Sequence, residues 1–324
     1  MRVSFSPRDR EEFQRRGISE AQVREQLERF EIGFPPLRLQ RPCTVGDGIR
    51  RISPEEHPRY QQIFEQARAA GRVTKFVPAS GAASRMFKLP LKFYHQYEVI
   101  DVHAVTEKAE AGDEDHRDFL HFLTHLPRFA FYDDLALSLA RLGRNLEVIR
   151  ARGSDYREVL EALLFEKGLN YARLPKGLIK FHRYRDRSRT AFEEHLVEAE
   201  VYAKGASGTA RVHFTVPAHH ADRIRLHVEW FARHRSNARY EVTFSVQKPS
   251  TDTIAVDLNN QPFRNPDGSL LFRPGGHGAL LDNLNDLQGD IVFIKNIDNV
   301  VPDWLKPDTY LYKQVLGGVL VSLQ

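Results

Sequence analysis

The stretch VTKFVPASGAASRMFK, from Val73 to Lys88, decides the fold predicted for this chain. Its first five residues favour a β-strand, and the small residues from Pro78 to Ser84 then favour a loop. Small residues let backbone N–H groups approach a polyanion closely, and a helix that begins after the loop adds its dipole. Arg85 and Lys88 follow as cations that neutralise phosphate charge. The stretch therefore predicts a strand and a triphosphate-binding loop; a tight strand-to-helix turn with surface cations is the alternative.

Strand and helix patterns alternate along the second half of the chain. Helical patterns at 190–203 and 218–235 separate the β-favouring runs, and such alternation predicts right-handed crossovers and a largely parallel sheet. The predicted strands lie at 178–181, 212–216, 240–246, 270–273 and 290–294. The fold class is therefore α/β, a mostly parallel mixed sheet flanked by helices.

Two regions show helical periodicity without a strand candidate. The pattern of segments 8–32 and 54–71 predicts helices, and residues 1–71 are therefore expected to form a helical N-terminal region. Segments 115–122, 132–142 and 156–164 give a helical insertion at about 100–170 in an α/β domain that spans residues 72–324. The run Val315–Leu323 has the composition of a strand, and we expect a truncated or naturally short chain with an incomplete acceptor site.

Composition limits the classes of function. Hydrophobic residues make up 41% of the 324 residues, which is enough for a sizeable core. The formal charge of +4 suits an anionic small molecule and is too small for a nucleic-acid tail or a polybasic membrane anchor. Cys43 is the only cysteine, and the N-terminal residues are charged, so we expect a cytoplasmic protein without a secretory signal. No apolar run is long enough to predict a membrane span.

Four further motifs follow predicted strands or lie beside them. Lys176 lies between Pro175 and Gly177, which restrict the backbone, and it is suited to contact an α-phosphate. The alternative is that Lys176 is a solvated lysine in a surface loop. Gln247 ends the 240–246 strand and suits the edge of a base, with a polar turn as the alternative.

The other two motifs are a glycine loop and an acidic strand end. Gly275-Gly276-His277-Gly278 can close over a flat ligand, or it is a flexible turn. The strand Ile291–Ile294 delivers Asn296, Asp298 and Asn299, and a carboxylate there suits Mg²⁺, with an Asp-Asn turn cap as the alternative. His121 and His125 lie four residues apart without an acidic third ligand, and neither a serine-hydrolase elbow nor a Gly-Lys-Ser/Thr P-loop is present.

In this order the five motifs resemble those of sugar nucleotidyltransferases, particularly the UDP-sugar pyrophosphorylase branch. Pro78–Met86 resembles that superfamily's Ala-Ala-Gly-x-Gly-Thr-Arg-Met loop, and Leu174–Leu178 resembles its Pro-Lys element. Gly276–Gly278 and Asn296–Asn299 resemble its Gly-His-Gly loop and its metal-binding strand end. Over nearly its full length, the chain more closely resembles an uncharacterised bacterial family of that superfamily, a domain of unknown function.

The resemblance implies a GT-A-like, Rossmann-type sheet and the reaction of an NTP with a sugar 1-phosphate to give an NDP-sugar and pyrophosphate. It implies that the nucleotide is bound by Ser80, Gly81, Ala82, Ala83 and Ser84. Arg85 and Lys88 would face the β- and γ-phosphates, and Lys176 the α-phosphate. Gln247, Gly276, His277 and Gly278 would hold the base, with UTP favoured, and Asp298 would bind Mg²⁺.

The sequence departs from that superfamily at two points. Ala83 replaces the second glycine of the first loop, and the insertion between Lys88 and Lys176 is long. The expected partners are an NTP and a sugar phosphate, with neither nucleic acid nor membrane. The alternatives are a nucleotide-binding regulatory protein without turnover and, from the pI near 9.1, an RNA-binding protein.

Overall fold

The structure is a computed structural model that describes residues 3–81, 83 and 85–324. Ala82 and Ser84, both assigned above to nucleotide binding, lie outside the described residues. Among the residues that are described, no helix combines the length and the apolar character needed to cross a membrane.

Thirteen α-helices lie in the described residues, and the helices predicted at 115–122, 132–142 and 156–164 are confirmed. The helices are α1 (Pro7–Arg16), α2 (Glu20–Ile32), α3 (His57–Ala69), α4 (Lys88–Gln96), α5 (Val102–Glu110), α6 (Glu114–Thr124), α7 (Tyr132–Arg141), α8 (Leu146–Arg152), α9 (Tyr156–Leu164), α10 (Ala191–Tyr202), α11 (Ala221–Arg233), α12 (Leu281–Asp286) and α13 (Lys306–Leu323).

Ten strands lie in the same described residues, and four of them form one parallel sheet. The strands are β1 (Thr44–Val45), β2 (Gly48–Ile49), β3 (Val73–Pro78), β4 (Lys180–Arg183), β5 (Ser188–Thr190), β6 (Thr209–Thr215), β7 (Arg239–Ser245), β8 (Thr253–Ile254), β9 (Phe272–Arg273) and β10 (Ile291–Ile294). The parallel sheet has the order β10-β3-β6-β7, and helices flank it. The predicted α/β class and parallel sheet are therefore confirmed.

Helix α10 packs against this sheet and is buried along nearly its whole length. It begins at a capping box, in which the Thr190 side chain accepts from the Glu193 N–H and the Glu193 carboxylate accepts from the Thr190 N–H. The box satisfies two backbone donors that a helix start otherwise leaves without partners. Helix α10 is thus a fixed support beneath β3 and β10.

Three apolar clusters make up the core. The first surrounds the parallel sheet and α10, and the second lies among α4–α9. The third joins α1 and α2 to the β8–β9 hairpin, where the rings of Phe13 and Phe272 meet edge to face at 6.2 Å. The chain's first helices therefore pack on residues that come much later in the sequence.

One strand prediction is wrong, and two others are confirmed only in part. The run Val315–Leu323 is the second half of α13: its valines suggested a strand, but the buried pair Gly317 and Gly318 lets the helix lie directly on α3. The segment predicted as the strand 178–181 begins as a 3₁₀ turn, and its β4 residues pair antiparallel with β5 outside the parallel sheet. The segment 270–273 contributes only two strand residues, which pair antiparallel with β8.

Candidate functional site

The site lies at the carboxyl edge of the parallel sheet. From β3 the chain moves outward to β6 and β7 and then returns to place β10 on the other side of β3. Because β10 joins β3 on the side opposite to β6, the carboxyl ends of β3 and β10 form a switch point of the sheet, and open parallel sheets bind ligands in the crevice at such a point. A cavity of about 400 Å³ lies there. It is lined by Pro78, Ser80, Gly81, Arg85, Lys176, Gln247, Gly275, Gly276, His277, Leu280, Asn296, Ile297 and Asp298.

Two backbone hydrogen bonds join the small-residue loop to the lysine motif. The Lys176 N–H donates to the Gly81 carbonyl at 3.1 Å, and the Ala83 N–H donates to the Leu174 carbonyl at 3.2 Å. Only glycine can occupy position 177 without a shift of its surroundings, because a Cβ there would lie 2.3 Å from the Phe192 ring on α10. The loop and Lys176 are therefore fixed relative to each other and to the helix beneath them.

Lys176 and Asp298 form an ion pair across the crevice. Their Nζ and Oδ2 atoms are 2.6 Å apart, and the side chains are 26% and 39% exposed. The hydrogen bond from Lys176 is the main cause that lowers the pKa of the Asp298 carboxyl below its usual value, against the opposing effect of burial. Asp298 is therefore an anion at neutral pH, and a ligand cation would compete with Lys176 for it.

His195 on α10 holds the loop that carries Asp298. Its Nε2 lies 3.1 Å from the carbonyl oxygens of both Asn296 and Ile297, so this nitrogen carries the proton. Burial lowers the pKa of the His195 ring well below its usual value, which keeps it neutral. Among the described residues, Nδ1 has no hydrogen-bond partner.

A buried charge network lies behind His195. Lys75 on β3 donates to the His195 carbonyl and to Glu198, each at 2.9 Å, and Lys295 donates to the other oxygen of Glu198 at 2.7 Å. Since Lys295 directly precedes Asn296, the network ties the end of β10 to α10 and β3. The sequence analysis did not identify these residues. The one feature that could have indicated them is Lys75, a lysine within an otherwise largely apolar strand, because lysine is rarely buried without a partner.

The glycine loop closes the opposite side of the cavity. Gln247 Nε2 donates to the Gly275 carbonyl at 3.2 Å. A Cβ at Gly275 would lie 2.8 Å from the Thr251 carbonyl oxygen, so the two backbones approach as closely as only glycine permits. Asn283 on α12 is buried and donates to the Ser245 hydroxyl and the Val246 carbonyl, both at 2.9 Å. The loop is thus anchored to the end of β7.

The structure brings together eight of the residues predicted from the sequence. They are Ser80, Gly81, Arg85, Lys176, Gln247, Gly276, His277 and Asp298. Lys88 is exposed at the first residue of α4 and Gly278 lies in a 3₁₀ turn, and neither lines the cavity. Ala83 is buried in the core of the helical insertion, with its N–H already bonded to Leu174.

The fold and site define an α/β protein with a polar, cation-rich cavity at the switch point of a parallel sheet. The chain belongs to the family described as Domain of unknown function (DUF4301), which matches residues 6–324. No curated protein matches the sequence.

Among solved structures, the chain is similar to the uridine diphosphate N-acetylglucosamine pyrophosphorylase from Trypanosoma brucei in complex with inhibitor. The sequences are 15% identical, the TM-score is 0.40, and the match covers 83% of this chain. The chain spans only 38% of that enzyme.

Proposed function

We propose that this protein is a Mg²⁺-dependent nucleotidyltransferase that joins an NTP, preferentially UTP, to a sugar 1-phosphate. In this reaction a phosphate oxygen of the sugar 1-phosphate bonds to the α-phosphorus, the bond from that phosphorus to the bridging oxygen breaks, and pyrophosphate leaves. The observation that carries the proposal is the Lys176–Asp298 pair, which spans the crevice between the ends of β3 and β10. The five ordered sequence motifs support the same reaction.

The charge around the cavity suits a polyanion. Arg85, Lys176 and His277 line it, whereas Asp298 is the single carboxylate among the described lining residues. The exposed Arg85 side chain makes no ion pair with any described residue, so its charge is available to a ligand. Such groups accelerate phosphoryl transfer by positioning the phosphates and by neutralising the charge that develops on them.

Each side of the cavity takes one part of the nucleotide. In the proposal the loop at Ser80 and Gly81 holds the phosphates, with Lys176 at the α-phosphate and Arg85 at the others. Gln247 already donates to Gly275, so its carbonyl oxygen is left to accept from a base N–H. The backbone of Gly276 is accessible to a ligand, because a Cβ at this position would have no atom of the described residues within 4 Å.

The residues present fit a Mg²⁺ ion that arrives with the nucleotide. Within the described part of the chain, no group of three or more His, Cys, Asp or Glu side chains forms a metal cage. Mg²⁺ is commonly held by one or two carboxylates together with substrate phosphates and waters, and Asp298 supplies one such carboxylate. When bound, the ion neutralises phosphate charge. Asp298 would then exchange Lys176 for the metal, which frees the lysine for the α-phosphate.

Thermal shift with each NTP and Mg²⁺, followed by measurement of pyrophosphate release, tests the proposal. We expect stabilisation by UTP that requires Mg²⁺ and is lost in Asp298→Ala. Asp118→Ala, which removes an exposed carboxylate on α6, is the matched control and should retain the full shift. If no NTP stabilises the wild-type protein, the assignment of this cavity to nucleotides is wrong.

A nucleotide-binding regulatory protein without turnover is the second candidate. The observation in its favour is Ala83, whose N–H bonds to Leu174 and is therefore unavailable to a phosphate. Mg²⁺-dependent UTP binding without pyrophosphate release, across a panel of sugar 1-phosphates, would favour this candidate. Pyrophosphate release with any one of them would favour the enzyme.

A further inference from the structure

A second cavity lies in the helical insertion, behind the loops that carry Arg85 and Lys176. Its volume is about 370 Å³, which is within the range of small-molecule sites. Aromatic and aliphatic side chains dominate its walls, among them Met86, Phe122, Phe129, Phe131 and Phe181. The two cavities share their separating segments, since Met86 directly follows Arg85 in sequence.

The walls of this cavity are held in place by polar contacts at its edge. Arg183, at the end of β4, donates to the Pro127 carbonyl at 3.2 Å and to both carboxylate oxygens of Asp133 at 2.8 and 2.9 Å. Lys180, also on β4, pairs with Asp134 on α7. These contacts fix β4 against α7 and the segment before it, so the cavity is formed before any ligand arrives.

One wall carries three neighbouring aromatic rings. The rings of Phe129 and Phe131 are stacked, with centroids 5.1 Å apart and planes 11° from parallel, and Phe122 lies 5.4 Å from Phe129. Aromatic faces of this kind pack well against planar apolar groups. The aromatic character of this wall therefore favours an aromatic ring system over a branched polar molecule.

Arg128 adds a charge to this apolar surface. Its exposed side chain lines the cavity and makes no hydrogen bond or ion pair with any residue between 3 and 324 that the structure describes. Lys180, the other cation of the lining, is already neutralised by Asp134. We propose that this cavity binds a small amphipathic anion, whose aromatic body packs on Phe129 and whose acidic group pairs with Arg128.

Two fluorescent probes with the same ring system test the proposal. 1-Anilinonaphthalene-8-sulfonate carries an acidic group, and N-phenyl-1-naphthylamine is its neutral counterpart. We expect saturable binding of the anionic probe at one site per chain, with a Kd that rises about tenfold in Arg128→Gln because one charge-assisted contact is lost. The neutral probe should bind both proteins within about twofold.

The variants Met86→Trp and Arg141→Gln complete the test. Met86 is about half exposed at the cavity, so a larger ring there should block both probes without disturbing the core. Arg141, an exposed arginine on α7 outside the cavity, is the matched control and should bind both probes as wild type does. Unchanged melting temperatures show that every variant is folded.

Three outcomes would overturn the proposal. The first is absence of saturable binding by the anionic probe to the wild-type protein. The second is binding that neither Arg128→Gln nor Met86→Trp weakens, because the probe then lies elsewhere. The third is binding that disappears as the protein concentration rises, because a second copy of the chain then occupies the cavity. None of these results depends on the proposed nucleotidyltransferase activity.

Discussion

Lys75 and Glu198 form an ion pair of 2.9 Å in which both side chains are completely buried. Glu198 also binds Lys295, so a single carboxylate serves two lysines. Buried ion pairs contribute little net stability, but removing one partner leaves a buried charge without compensation. The pair therefore makes the end of β10 sensitive to single substitutions at either residue.

We expect Glu198→Gln to lower the free energy of unfolding by about 3–5 kcal/mol, because Lys295 loses its counterion and Lys75, whose pKa burial already lowers to about 7, loses the carboxylate that favours its charged form. Urea denaturation at pH 7 measures the change. Glu229→Gln, on the exposed side of α11, is the matched control and should change stability by less than about 0.5 kcal/mol. If Glu198→Gln lowers the free energy of unfolding no more than Glu229→Gln does, the buried charge network does not stabilise the end of β10.

The same network predicts that the free energy of unfolding decreases at acidic pH. Burial alone would raise the pKa of Glu198, but the two lysines lower it from its usual 4.5 to about 2. Because the folded state has the lower pKa, the contribution of Glu198 is complete above pH 4.5 and is lost as the pH falls towards 2. The loss amounts to roughly 3 kcal/mol. Denaturation curves over this acid range should show a steeper fall for wild type than for Glu198→Gln.

His195→Phe should weaken binding of Mg²⁺ and nucleotide by roughly tenfold, because the carbonyls of Asn296 and Ile297 lose their donor and the Asp298 loop is no longer held. Isothermal titration calorimetry measures the affinity. His195→Gln retains a donor and should recover part of it. If both variants lose stability but bind the nucleotide as wild type does, His195 supports the fold alone.

Lys176→Gln should reduce pyrophosphate release at least about a hundredfold, since it removes the cation proposed for the α-phosphate. The melting temperature should change little, because the Lys176–Asp298 pair is partly exposed. Lys167→Gln, on a well exposed lysine of the insertion, is the control and should retain activity. Equal activity of both variants would exclude Lys176 from the reaction.

Gly318→Ala should destabilise the protein by more than about 2 kcal/mol, because a Cβ there would lie 2.0 Å from the Tyr60 carbonyl oxygen on α3. Gly278→Ala is the matched control, because its Cβ would have no described atom within 4 Å, and its stability should equal that of wild type. Thermal unfolding of both variants measures the difference. Similar melting temperatures would mean that α3 and α13 can separate without cost.

The sequence predicted the parallel sheet and most of the cavity because both depend on short contiguous motifs. Strand residues followed by Ser80, Gln247 or Asp298 carry their own signal, and parallel strands bring such ends to one edge. The supporting contacts could not be predicted in this way. His195 and Asn296 are 101 positions apart, and nothing in the sequence of α10 shows which loop it supports.

The wrong prediction of a strand at Val315–Leu323 has a related cause. Val315–Leu323 contains the β-branched residues that favour strands, but tertiary packing overrides that preference. Gly317 faces the Phe64 ring, where a Cβ would lie only 2.4 Å away, and this contact is formed with a helix that lies far earlier in the chain. Local composition cannot report such a contact.

The packing of α1 and α2 on the β8–β9 hairpin has a consequence for synthesis of the chain. Phe13 and Val23 leave the ribosome long before Ile254, Leu270 and Phe272, which cover them, have been made. Until then the first two helices expose apolar side chains, and contacts of this sequence separation slow folding. The helices α1 and α2 should therefore be prone to aggregation on the nascent chain until the hairpin has been translated.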